Sequence, residues 1–127
     1  MMRPTTVLIV DDDPGVRRTI AMWLQSYEFI VAEAATAGEA LDQMAEHAAA
    51  ITLCDVGLPD RNGLWLAAQM RRQFPHTALV LTTDFGMEAL PSKLDADAIG
   101  YLPKPFTKQQ LLRTLDWAID WRHEHAC

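Results

Sequence analysis

No apolar run in this sequence approaches the ~20 residues that a membrane-spanning helix needs. The apolar start of "MMRPTTVLIV" is too short for a signal peptide and runs at once into acid. A basic patch is missing as well: Lys and Arg number 11 against 17 Asp and Glu, for a net charge of −6. The largest basic clusters are the pairs Arg17-Arg18 and Arg71-Arg72, which read as solvated helix faces. A nucleic-acid-binding surface normally shows a concentrated positive face, so that class is set aside. There are only two cysteines, Cys54 inside an apolar run and Cys127 at the last position. They make no disulfide framework, and Cys54 reads as a small buried hydrophobe. Internal repeats and linker-like stretches are absent too. What remains is one globular domain over residues 1–127, long enough for a real core. It is expected in the cytoplasm, without a membrane or nucleic-acid partner.

Short apolar runs alternate with longer amphipathic segments. Val7 to Val10 is apolar without alternation, as expected for a strand covered on both faces. Pro14 suits the first turn of a helix, with Asp13 as its cap, and Val16, Ile20, Trp23 and Leu24 recur at helical spacing. "FIVAEA" is a second strand, and "TAGEALDQMAEH" a helix capped by Thr36. "AITLCD" is a third strand, followed by the loop "GLPDRNG" and a helix burying Leu66, Met70 and Phe74, closed by Pro75. "ALVLTTD" is a fourth strand, Met87 to Ala96 a short helix interrupted early by Pro91, and "IGYLPKPF" holds a fifth strand. Thr107 caps a last helix from Lys108 to about His123. Regular β-α alternation implies a five-stranded parallel sheet with helices on both sides.

In open parallel sheets, ligands bind beyond the carboxyl ends of the strands, where the strand order reverses. Asp11, Asp12 and Asp13 lie there after strand one, and Asp55 ends strand three. Thr82 or Thr83 ends strand four, and Lys104 follows strand five. In the commonest order for a sheet of this size, 2-1-3-4-5, these groups converge on one edge. Clustered carboxylates either share protons or recruit a cation. At a solvent-open edge the cation is the better answer, and Mg2+ suits a site of few carboxylates completed by phosphate oxygens. A lysine and a threonine then serve the phosphoryl group as point charge and hydrogen-bond donor. The implied chemistry is phosphoryl transfer with Asp55 as nucleophile.

"VLIVDDDP", "LCDVGLPDRNG", "VLTT" and "YLPKPF" together resemble the response-regulator receiver domain of two-component signalling, over the whole chain and in the right order. The resemblance implies a flavodoxin-like, doubly wound α/β fold, with the order 2-1-3-4-5 taken from the family. It implies that Asp55 accepts a phosphoryl group from a histidine kinase or phosphotransfer protein. Asp12 matches the direct Mg2+ ligand, Asp11 the carboxylate acting through metal-bound water, and the Gly57 backbone carbonyl the third protein ligand. Asp13 matches a variable position and is read as a helix cap. Lys104 matches the phosphoryl-contacting lysine, with a cis bond to Pro105. Tyr101 matches the aromatic whose rotamer follows the hydroxyl residue. Such a domain is a switch whose output is binding, not a turnover enzyme.

Lys104 lies 49 positions after Asp55, one fewer than the commonest family spacing. Counting back from Lys104 selects Thr82 as the switch hydroxyl and leaves small Thr83 after it, the preferred assignment. Counting forward from Asp55 selects Thr83. Gly57 is small where the family often has a longer side chain, which leaves the phosphate more open. Leu111, Leu115, Ala118 and Ile119 share one face of the last helix, and Trp117 and Trp121 lie well off its centre. They either pack against the neighbouring helix or strand five, or join a homodimer or downstream-partner surface there. Three alternatives compete. A phosphatase of the haloacid dehalogenase type would use Asp11 as nucleophile with Asp13 beside it, but Gly15 stands where that family wants Thr or Val. A flavodoxin-like FMN carrier needs a hydroxyl-rich loop where three aspartates stand. A receiver-like module that binds without phosphorylation would not need the intact set of acids, threonine and lysine. The chain stops after the last helix, so it is expected to be a stand-alone receiver or the N-terminal portion of a larger regulator.

Overall fold

Five-residue apolar segments with few glycines and no internal proline can form strands that bury both faces, and three segments here do so. The computed structural model describes residues 4–84 and 100–125. Its strands are β1 (Thr6–Val10), β2 (Ile30–Ala34), β3 (Ile51–Asp55), β4 (Ala78–Thr83) and β5 (Gly100–Pro103). They form one parallel sheet in the order β2-β1-β3-β4-β5, as the sequence and the resemblance lead one to expect. The helices among the described residues are α1 (Pro14–Gln25), α2 (Ala37–His47), α3 (Gly63–Gln73) and α4 (Lys108–His125). The helix expected over Met87 to Ala96 lies outside the described residues.

Strand alternation divides the core in two. Val7, Ile9, Leu53, Val80 and Leu102 point to one face, where Ile20 and Leu24 of α1 and Leu111, Leu115 and Ala118 of α4 cover them. Leu8, Val10, Cys54, Leu79 and Leu81 point to the other, beneath Met44 of α2 and Leu66 and Met70 of α3. Helix starts follow the expected side chains. Asp13 Oδ1 accepts from the Gly15 and Val16 amides, and Thr36 Oγ1 accepts from the Glu39 amide. Thr107 and Gln110 form a reciprocal capping box at α4: each backbone N–H donates to the other's side-chain oxygen, at 2.8 and 3.1 Å. Each cap stabilises its helix start by roughly 1 kcal/mol.

The two late tryptophans part company. Trp121 is buried within the α1/α4 core, and the Arg71 guanidinium lies 5.6 Å above its ring. Arg71 is therefore only partly exposed, not a residue of a fully solvated face. Trp117 stays 38% exposed, yet its ring lies against Gly100, where a Cβ would collide with it. That glycine lets the indole lie flat on the edge strand. No described helix is long and apolar enough to cross a membrane.

Candidate functional site

Parallel pairing brings the strand ends level. Val10 of β1 stands beside Cys54 of β3, so Asp11 and Asp55 follow at the same height, and Asp55 pairs with Thr82 of β4. Asp11 and Asp55 are 2% and 8% exposed, whereas Asp12 is open to solvent. Carboxylate oxygens of the three lie within 4.8 Å of one another. Lys104, delivered from beyond β5, places Nζ 2.9 Å from Asp11 Oδ2 and 3.4 Å from Asp55 Oδ2. Its bond to Pro105 is cis.

The remaining Asp11 groups are engaged. Oδ1 accepts from the Asp13 amide at 2.9 Å, and the backbone N–H donates to the Ala34 carbonyl. Asp13 turns away to cap α1. Asp55 Oδ1 accepts from the Gly57 amide at 3.2 Å. The Asp12 carboxylate has no hydrogen-bond partner among the described residues. Asp11, Asp12, Asp55, Gly57, Thr83 and Lys104 line a cavity of about 300 Å³, with Asp13 and Asp84 also on its wall.

Burial pushes the Asp55 carboxyl above its ordinary range. Lys104 and the Gly57 amide oppose that push without cancelling it, and the Asp11 charge adds to it. For Lys104, burial works against the ammonium, but Asp11 and then Asp55 outweigh it and hold the pKa above its usual value. Cys54 is raised too, first by complete burial and then by the two neighbouring carboxylates, so it is an inert thiol in the core. Three carboxylates against one ammonium leave two negative charges uncompensated, and every donor is a hard oxygen. That set fits a divalent cation of the Mg2+ kind.

The two threonines are both buried at the end of β4 but face opposite ways. Thr82 alternates with Val80 and stands level with Leu102, on the α1/α4 side. Thr83 alternates with Leu81, on the side where Tyr101 packs, and it lines the cavity. The Thr83 carbonyl also accepts the Lys104 amide at 2.9 Å. The threonine that lines the cavity is thus the one obtained by counting forward from Asp55. Counting back from Lys104 selects Thr82, which lies on the other face of the sheet.

Residues 7–116 match the family described as the response regulator receiver domain. The chain belongs to that family. It is 36% identical over 113 residues to the sensor kinase CckA of Brucella abortus, covering 87% of this chain and 12% of that protein. It is 31% identical over 115 residues to the transcriptional regulatory protein KdpE of Mycobacterium tuberculosis, covering 91% of this chain and 51% of that one. The chain therefore spans about half, or much less, of the curated relatives it matches. Among solved structures, a CheY-like receiver domain protein from Methanospirillum hungatei superposes with a TM-score of 0.90 at 27% identity, covering 98% of this chain and all of that one.

Three residues around this receiver's site make contacts that motif reading did not assign, although Asp60 and Gly63 stand in the quoted motif. Arg17, expected on a solvated face, places Nη1 2.7 Å from the Asp11 carbonyl and Nε 3.0 Å from Glu33. Its place one turn into α1 was the available signal, since helical side chains lean toward the N-terminus. Gly63 opens α3 so close to the Asp55 carbonyl and Val56 that no Cβ would fit. Asp60 accepts from the Ala37 and Gly38 amides at 2.9 and 3.0 Å, tying the β3–α3 loop to the start of α2. No local pattern announces that contact, because its partners are more than 20 residues away in the chain.

Proposed function

We propose that this chain is a phosphorylatable switch in which Asp55 takes a phosphoryl group from a phosphohistidine on a histidine kinase or phosphotransfer protein, in the presence of Mg2+. The observation that carries this reading is Lys104 held between Asp11 and Asp55, with exposed Asp12 beside them. An Asp55 oxygen attacks phosphorus, the phosphorus–nitrogen bond breaks, and the departing imidazole keeps the electron pair and takes up a proton. The product is an acyl phosphate on Asp55. Asp12, Asp55 and the Gly57 carbonyl would hold the metal directly and Asp11 would support it, an assignment favoured by how fully Asp11 is already bonded. When bound, Mg2+ supplies positive charge against the phosphoryl oxygens.

The chain's own groups do the rest. Lys104 offers its ammonium to a phosphoryl oxygen, and raising its pKa keeps it charged throughout the neutral range. Thr83 donates its hydroxyl to another oxygen, drawing the end of β4 inward. Tyr101, partly buried on the same sheet face, follows that movement. The surface so biased runs along β5 and α4, past half-exposed Trp117, and would meet a downstream protein or a second copy. On this reading the domain spans residues 1–127, works in the cytoplasm, and consumes phosphate groups as signals without turnover. Asp13 Oδ1 caps α1, which speaks against the phosphatase alternative.

Incubation with Mg2+ and a small phosphodonor, or with beryllofluoride, tests the reading. The expected results are a base- and hydroxylamine-labile phosphate on Asp55, a change in tryptophan fluorescence, and loss of both in Asp55→Asn. Persistent labelling of Asp55→Asn would overturn it. Thr83→Ala should remove the fluorescence change while sparing labelling, and Thr82→Ala should leave both intact; the reverse pattern would return the switch role to Thr82.

A further inference from the structure

Arg17 follows the capping Asp13 by four residues, its amide on the Asp13 carbonyl at 3.0 Å. From there its guanidinium returns over the end of β1. Nη1 donates to the Asp11 carbonyl at 2.7 Å and Nε to Glu33 Oε1 at 3.0 Å. The Asp11 N–H donates to the Ala34 carbonyl at 3.1 Å. Two adjacent residues of β2 thus hold both polar groups of the Asp11 backbone, one directly and one through the guanidinium. The Arg17 side chain is 19% exposed, so this contact is less screened than an ordinary surface ion pair.

The bonded carbonyl belongs to the peptide that joins Asp11 to Asp12. Asp12 has no side-chain partner among the described residues, so its backbone sets its direction. We propose that Arg17 is a positioning residue for the cation site: by fixing the Asp11–Asp12 peptide, it sets where the Asp12 carboxylate stands relative to Asp11 and Asp55. The inference rests on the Mg2+ reading of the site given above. The guanidinium fork matters because its two donors lie in one plane at fixed separation, while a lysine presents a single nitrogen.

Charge and position make opposite demands, and that separates them. If Arg17 acted only as a nearby positive charge, removing it would strengthen cation binding. If it positions Asp12, removing it weakens binding. Calorimetric titration of Mg2+ into the full 127-residue chain at fixed ionic strength reads the sign directly. Arg17→Met is expected to bind Mg2+ about tenfold more weakly, the low end of what lost outer-shell partners cost a metal site. Arg17→Lys should lose nearly as much, and Glu33→Gln less, because its amide oxygen still accepts from Nε. Thermal unfolding without Mg2+ checks that each variant is folded, and should Arg17→Met fail to fold, Arg17→Lys carries the same measurement. Equal or tighter Mg2+ binding by Arg17→Met, or full affinity in Arg17→Lys, overturns the inference. A parent chain that binds no Mg2+ removes the site reading and the inference together. Normal binding by both parent and variant removes the inference alone.

Discussion

β3 is buried at all five positions, whereas β2, at the edge of the same sheet, exposes Ile30 and Glu33 and only partly buries Val31 and Ala32. β5, the opposite edge, fully buries only Leu102. The difference separates two jobs. Central strands are clamped on both faces and by neighbours on both sides, so their last residues can hold charges in an unfavourable place. Asp55 ends β3, and Asp11 directly follows β1. Edge strands are less covered, and they carry Glu33 behind Arg17 on one side, and Tyr101 and Gly100 with its indole on the other. A site at the end of fully buried strands, beside a less covered edge, suits the switch proposed above.

Four substitutions probe that contrast. The largest expected loss is at Leu53→Ala in β3, a cavity between central strand and helices that should cost about 2–5 kcal/mol in chemical denaturation. Next comes Gly63→Ala, which forces a methyl group against the Asp55 carbonyl. It should cost about 1–3 kcal/mol and also weaken Mg2+ binding, because the displaced backbone carries the Asp55 carboxylate. If affinity survives the stability loss, the central strand end is less rigid than argued.

Asp60→Ala should have a smaller and pH-dependent effect. The Ala37 and Gly38 amides lower the Asp60 pKa below the ordinary 3.8. The unfolded chain therefore takes up this proton first as pH falls. Asp60's contribution is present above the unfolded value and is lost as pH drops through the folded one. Melting curves should show a lower Tm for Asp60→Ala at neutral pH, with the gap closing in strong acid. The smallest change is expected at half-exposed Ile30→Ala on β2, about 0.5 kcal/mol or less. A loss there comparable to that at Leu53 would erase the distinction between edge and centre.

How much of this was legible beforehand follows from range. Asp13, Thr36 and Thr107 act on amides within three residues, and they cap the expected helices. The unbroken apolar run Val7 to Val10 marked β1 as doubly covered. Asp11, Asp12, Asp55 and Lys104 were readable as a group because parallel topology sends every strand end to one edge. Trp121 was left open between packing and a partner surface, because helical angle describes one helix alone, and the Arg71 side chain that meets its ring comes from another.

The sequence by itself determined the strand–helix alternation, the caps and the residues gathered at the carboxyl edge, all of which depend on local periodicity or on chain direction. Tertiary structure alone placed Thr83, and not Thr82, on the cavity wall, since consecutive strand residues face opposite sides and only packing says which side holds the cavity. It also decided the parts played by Arg17, Gly63 and Asp60. Their contacts join elements distant in the chain, and spacing along a sequence carries no trace of which backbone atom a side chain will meet.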